Sequence, residues 1–101
     1  MARLVYHHQI DEGVEKVANA LAPDVVRIRY SIDDDWTGDE SIFFRVVLSD
    51  EASRINRLRE VSRRARAAIR EVLKAEELGL NFYVTFRSLS ETKELPEAAW
   101  D

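Results

Sequence analysis

Residues 24–49, "DVVRIRYSIDDDWTGDESIFFRVVLS", decide the fold. In the first half Val26, Ile28, Tyr30 and Ile32 alternate with Arg27, Arg29 and Ser31. In the second half Ile42, Phe44, Val46 and Leu48 alternate with Phe43, Arg45 and Val47. Side chains of a strand point to opposite faces with period two, so each half is a strand with one apolar face. A short polar link between two such runs predicts an antiparallel hairpin.

That link, "DDDWTGDE" at residues 33–40, has the look of a calcium loop. Counted from Asp33, Gly38 stands at the sixth position, where the turn of an EF-hand loop requires glycine. The twelfth position must be a bidentate glutamate, and here it is Phe44. The flanks are also strands rather than helices. The leading reading is therefore a hairpin tip whose Gly and Asp residues make the turn. Trp36 at its centre is a candidate docking residue, because tryptophan is a favoured interface anchor.

Outward from the hairpin the pattern becomes helical. Upstream, Ile10, Val14, Val17, Ala18 and Leu21 recur at helical spacing, which predicts a helix from about His8 to Ala22 closed by Pro23. Gly13 weakens its first turn. Downstream, Ser49 or Asp50 can cap a helix running to about Glu77, with Leu58, Val61, Ala65, Ala68, Ile69 and Val72 as its apolar face. Gly79 suits the left-handed position after a helix end. "LNFYVTFRS", residues 80–88, is a third strand with Phe82, Val84 and Phe86 on one face and Asn81, Tyr83, Thr85 and Arg87 on the other.

The order helix–strand–strand–helix–strand predicts an α+β fold (α-β-β-α-β), with both helices packed on one face of a three-stranded sheet. The third strand returns beside either the first or the second. A single domain over residues 1–90 is expected, then a polar C-terminal tail over 91–101 ending near Trp100. Predicted core residues include Ile28, Phe44, Val46, Leu58, Ile69, Phe82 and Phe86.

Composition narrows the function classes. The chain has 101 residues, 46% hydrophobic and 34% charged, as in soluble globular domains. No apolar run approaches the ~20 residues that span a membrane, and "MARLVYHHQIDEG" is not a signal peptide. Without cysteine there is no disulfide, thiolate metal site or thiol nucleophile. A cytoplasmic location is the economical expectation. The net charge of −4 runs against a dedicated nucleic-acid binder. No Gly-rich phosphate loop or G-x-S-x-G elbow is present, so no catalytic activity, catalytic residue or cofactor is expected.

Three further groups carry possible chemistry. The outer sheet face would gather Arg27, Arg29, Phe43, Arg45, Tyr83 and Arg87. Arginines with aromatics on an open sheet suit a protein partner or self-association; some single-strand RNA binders use the same combination. A solvated face is the plain alternative. On the second helix Arg59, Arg63, Arg66 and Arg70 form one stripe, read first as a flank balanced by Glu60, Glu71 and the acidic first helix, and otherwise as a ladder for phosphates or an acidic partner. His8, Asp11, Glu12 and Glu15 sit on neighbouring turns but read as solvated residues rather than a metal site.

The element order together with "ARAAIREVLKAEELGLNFYVTFRSLSE", residues 65–91, resembles the second half of ribosome-binding factor A, a KH-like domain. That family usually has glycine where Ala67 stands, and is usually more basic. The cytoplasmic domains of cation-efflux transporters have a similar element order, but those follow a membrane region. The chain is also similar to short uncharacterised bacterial proteins that carry "DDWTGDESIFFRVVLSDEA", residues 34–52. These resemblances imply the α-β-β-α-β order and assign no functional residue. The expected function is a small interaction or regulatory module using Trp36 and the arginine–aromatic face, with an RNA- or ribosome-associated module as the alternative.

Overall fold

The computed structural model describes residues 2–74 and 79–100. Helix α1 (Ala2–Ala20) leads into strand β1 (Val25–Asp34) and, through the hairpin, β2 (Glu40–Leu48). Helix α2 (Leu58–Leu73), strand β3 (Asn81–Ser88), a short helix α3 (Leu89–Glu94) and a 3-10 turn (Ala98–Trp100) complete the chain. The architecture is α+β, in the order α-β-β-α-β with α3 added at the end. The sheet order is β1-β2-β3: β1 pairs antiparallel with β2, and β3 returns beside β2 in parallel.

The alternation sorts the side chains as the strand period requires, except at the start of β1: the pairing register shifts between Val25 and Arg27, so Val25 is buried and Val26, expected on the inner face, is 42% exposed. Ile28, Ile42, Phe44, Val46 and Leu48 form a buried core with Ile10 and Val17 of α1 and Val61, Ile69 and Leu73 of α2. Both long helices therefore cover the same sheet face. Central β2 is the most deeply buried strand, while Phe82, Val84 and Phe86 of edge strand β3 are only half-buried. Leu58, expected in the core, is 38% exposed. The true stripe on α2 is Val61, Ala65, Ile69 and Leu73, which leaves Leu58 and Val72 on its margins.

Three boundaries differ from the sequence reading. Helix α1 starts at Ala2 rather than His8, and Gly13 is not a weak point of its first turn. A Cβ at Gly13 would lie 2.3 Å from Leu73 Cδ2, so the missing side chain is what lets α2 approach α1. Second, α2 starts at Leu58 rather than at Ser49 or Asp50. Residues 49–57 instead form turns pinned by Arg57, which reaches Asp24 at 2.9 Å and Glu51 at 3.4 Å. The helix stops at Lys74, whose backbone is left-handed (φ 47°), so the expected end near Glu77 falls outside the described residues.

The third concerns residues 89–100, which do not form a free polar tail. The Ser88 hydroxyl and the Glu91 carboxylate make a reciprocal capping box that starts α3. The chain then folds back across the outer sheet face, where Trp100 is 6% exposed and Val47 is fully buried. Burying an indole is a large apolar gain, and it outweighs the polar composition of the segment before it.

Candidate functional site

The hairpin tip is built around one carboxylate. Gly38 takes the left-handed conformation (φ 88°) that closes the loop, and the backbone bonds Asp35 N–H to Asp39 O (2.8 Å) and Gly38 N–H to Asp35 O (3.0 Å) complete it. The buried Asp35 carboxylate accepts at Oδ1 from Thr37 N–H (2.9 Å), the Thr37 hydroxyl (2.6 Å) and Asp39 N–H (3.1 Å). At Oδ2 it accepts from the Ser41 hydroxyl (3.0 Å) and from the Tyr83 hydroxyl on β3 (3.0 Å). The Thr37 hydroxyl foremost, with the Thr37 amide, Tyr83 and Ser41, holds Asp35 well below the usual carboxylate range. Its oxygens are spent on organising the turn. Among the described residues no cluster of His, Asp and Glu is arranged to hold a metal ion.

The consequence is an ordered aromatic array. Tyr83, held by Asp35, stacks on Phe43 with ring centres 5.4 Å apart and nearly parallel planes. Trp36 leans on Tyr83, tilted, with ring centres 5.0 Å apart, and is 79% exposed. A large apolar ring is thus presented to solvent on a support of two further rings, at a tip fixed by hydrogen bonds.

The strands place Arg27, Arg29, Phe43, Arg45, Tyr83 and Arg87 on the outer face, but the structure divides them. At the far end Arg27 Nε donates to Trp100 O (2.9 Å). Arg87 stacks over the Trp100 ring at 4.6 Å and pairs with Glu97 at 3.1 Å. Those two arginines hold the C-terminal segment down. In the middle Arg29 and Arg45 sit directly opposite each other, and Arg45 donates to the Ser31 hydroxyl at 3.1 Å. Phe43, Tyr83 and Trp36 gather at the hairpin end. The clasp at Trp100 was not legible from alternation; its one signal is a tryptophan inside an otherwise polar segment.

Beside the aromatic array a groove of about 500 Å³ is lined by Trp36, Phe43, Tyr83 and Thr85 on one side and by Phe82, Val84, Arg66 and Arg70 on the other. Arg66 lies over the Phe86 ring (5.6 Å) and Arg70 over the Phe82 ring (5.7 Å). These arginines belong to the α2 stripe with Arg59 and Arg63. Contrary to the balanced-flank reading, none of the four is in an ion pair among the described residues. Glu71 adjoins Arg70 in sequence, and neighbours at that spacing do not face each other on a helix; Glu60 stands three residues before Arg63, within facing distance, yet makes no ion pair with it among the described residues.

On α1, the Tyr30 hydroxyl donates to Asp11 (2.6 Å) and lies 2.8 Å from His7 Nδ1, while His8 approaches Glu12 at 3.4 Å. Burial first, then the Asp11 bond, raises the Tyr30 pKa. The Tyr30 contacts tie α1 to β1. No described helix is long and apolar enough to cross a membrane.

Compared with known proteins, the chain matches no family model and no curated sequence.

Proposed function

We propose that this chain is a protein-interaction module with no catalysis of its own, acting in the cytoplasm, and that its contact surface is the array of Trp36, Tyr83 and Phe43. The observation that carries this reading is the fixed exposure of Trp36. Hydrating a large apolar ring is unfavourable, and the buried Asp35 network keeps the ring from folding away. Rigid exposed aromatics bind with little loss of conformational freedom, and tryptophan is among the residues that most often dominate interface energy. Arg45, Arg66 and Arg70 surround the array and favour a partner with acidic residues near an apolar anchor.

An RNA-binding role is less supported. Of the four arginines a sheet-face RNA site would use, Arg27 and Arg87 are engaged with the C-terminal segment. Affinity capture from the native host, with and without nuclease, tests the choice. A protein retained after nuclease treatment, captured by the native chain and lost with Trp36→Ala, is the expected result. Loss of every captured species on nuclease treatment would favour RNA and overturn the proposal.

A further inference from the structure

The groove beside Trp36 has an unusual position, because its lining residues lie on both faces of one strand. Tyr83 and Thr85 point outward from β3; Phe82 and Val84 point inward. A single groove touching both sets runs along the open edge of β3. Among the described residues no strand pairs with that edge, since β3 closes the sheet order. Its eight residues contain no proline or lysine, and Arg87 is their single charge. Natural sheets usually blunt such edges with charge, proline or a covering element. This one instead has an aromatic wall on one side and two arginines on the other.

Resting on the proposed interaction role, we infer that the edge of β3 takes an extended acidic segment of a protein partner as a fourth strand. Main-chain hydrogen bonds would join the segment to β3, and its side chains would alternate between the two walls. Those on the outer side meet Tyr83 and Trp36 and are apolar. Those on the α2 side meet Arg66 and Arg70, whose guanidinium groups have no carboxylate partner among the described residues. The arginines sit over Phe86 and Phe82, the inward-facing residues on either side of Val84. Acidic residues at every second position of the incoming strand, on its α2 side, would meet them. The groove therefore selects an alternating apolar–acidic pattern. Charge complementarity favours this occupant over a second copy of β3, which would bring Arg87 and no acidic residue.

The test uses three capped octapeptides that alternate valine with glutamate, glutamine or lysine, titrated into the isotope-labelled full chain and followed by NMR and amide hydrogen exchange. The glutamate peptide should bind saturably, shift the Trp36 indole resonance and protect alternate amides within residues 81–88. Arg66→Glu with Arg70→Glu, both solvent-exposed changes, should weaken it by roughly tenfold or more and switch preference to the lysine peptide. Equal binding of all three peptides, or no response to the charge reversal, overturns the acidic specificity. Perturbation of Trp36 without protection of β3 amides overturns strand addition but leaves the Trp36 surface standing. Absence of any peptide response also overturns the edge site; capture of a protein partner through Trp36 would then still be decided by the nuclease-controlled experiment. Protection of β3 amides that depends on chain concentration alone would assign the edge to a second copy and overturn the inference.

Discussion

Gly13→Ala should destabilise this protein, although the substitution places a better helix former in the middle of α1. In a helix interior alanine is favoured over glycine by about 1 kcal/mol. At this site the new Cβ would stand 2.3 Å from Leu73 Cδ2, 3.0 Å from Leu73 Cγ and 3.3 Å from Val72 Cγ1. Carbon atoms pack at about 3.5–4.0 Å, so more than an ångström must be found. Leu73 is 1% exposed and cannot swing into solvent. Forcing an extra methyl into such a contact costs about 1–3 kcal/mol, leaving a net loss of about 1 kcal/mol after the helix gain. Urea unfolding of the single variant, of Leu73→Ala and of the double variant measures this. With Leu73 shortened the two shortest contacts disappear and only the 3.3 Å approach to Val72 Cγ1 remains, so adding Gly13→Ala to Leu73→Ala should stabilise, by up to about 1 kcal/mol, the plain helix value. A Gly13→Ala variant more stable than the native chain would refute the close approach of α1 and α2.

Four other outcomes are expected. Asp35 titrates below the ordinary carboxylate range, so the stability it contributes is complete above about pH 4 and declines as the pH falls further; Asp35→Asn should flatten the acid side of a stability–pH curve. Calorimetry should show no saturable calcium uptake in the micromolar range, because the Asp35 oxygens are already occupied by protein donors, and a one-site isotherm lost in Asp35→Asn would contradict that. Phe44→Ala should cost about 3–5 kcal/mol because Phe44 is fully buried. Trp100→Ala should cost about 3 kcal/mol by uncovering Val47, and a thermal melt that does not move would show that the C-terminal clasp is absent in solution.

Period-two alternation was enough to read the hairpin and, past the register shift that buries Val25 and exposes Val26, both sheet faces, because a strand inverts its side chains at every residue and β2 is covered on its inner face along its whole length. Helix boundaries were less legible. The start of α2 depends on Arg57 finding Asp24, a contact between residues far apart in sequence, and Ser49 looked as good a cap as any. Gly13 misled for a related reason: propensity counts its cost within one helix, while its value lies in the second helix it admits. The parallel return of β3 beside β2 was one of two permitted arrangements, and nothing local to β3 distinguished them. At the candidate site, Trp36 and the outer-face residues could be named from alternation. The division of the face could not, because it depends on Asp35 reaching across the sheet to Tyr83 and on Trp100 folding back between Arg27 and Arg87.

The central claim is that the rings of Trp36, Tyr83 and Phe43 carry partner binding, with the arginines in a supporting role. It is tested most directly by titrating the nuclease-resistant partner against the native chain, Trp36→Ala and Arg45→Ala, at low and high salt. Trp36 is mostly exposed, so its removal should leave stability within about 0.5 kcal/mol while weakening binding by about 2 kcal/mol or more. Arg45→Ala should weaken it by less than about 1 kcal/mol, an effect that shrinks as salt is raised. Native affinity in Trp36→Ala, with the larger loss in Arg45→Ala and a steep fall of binding with salt, would contradict the account.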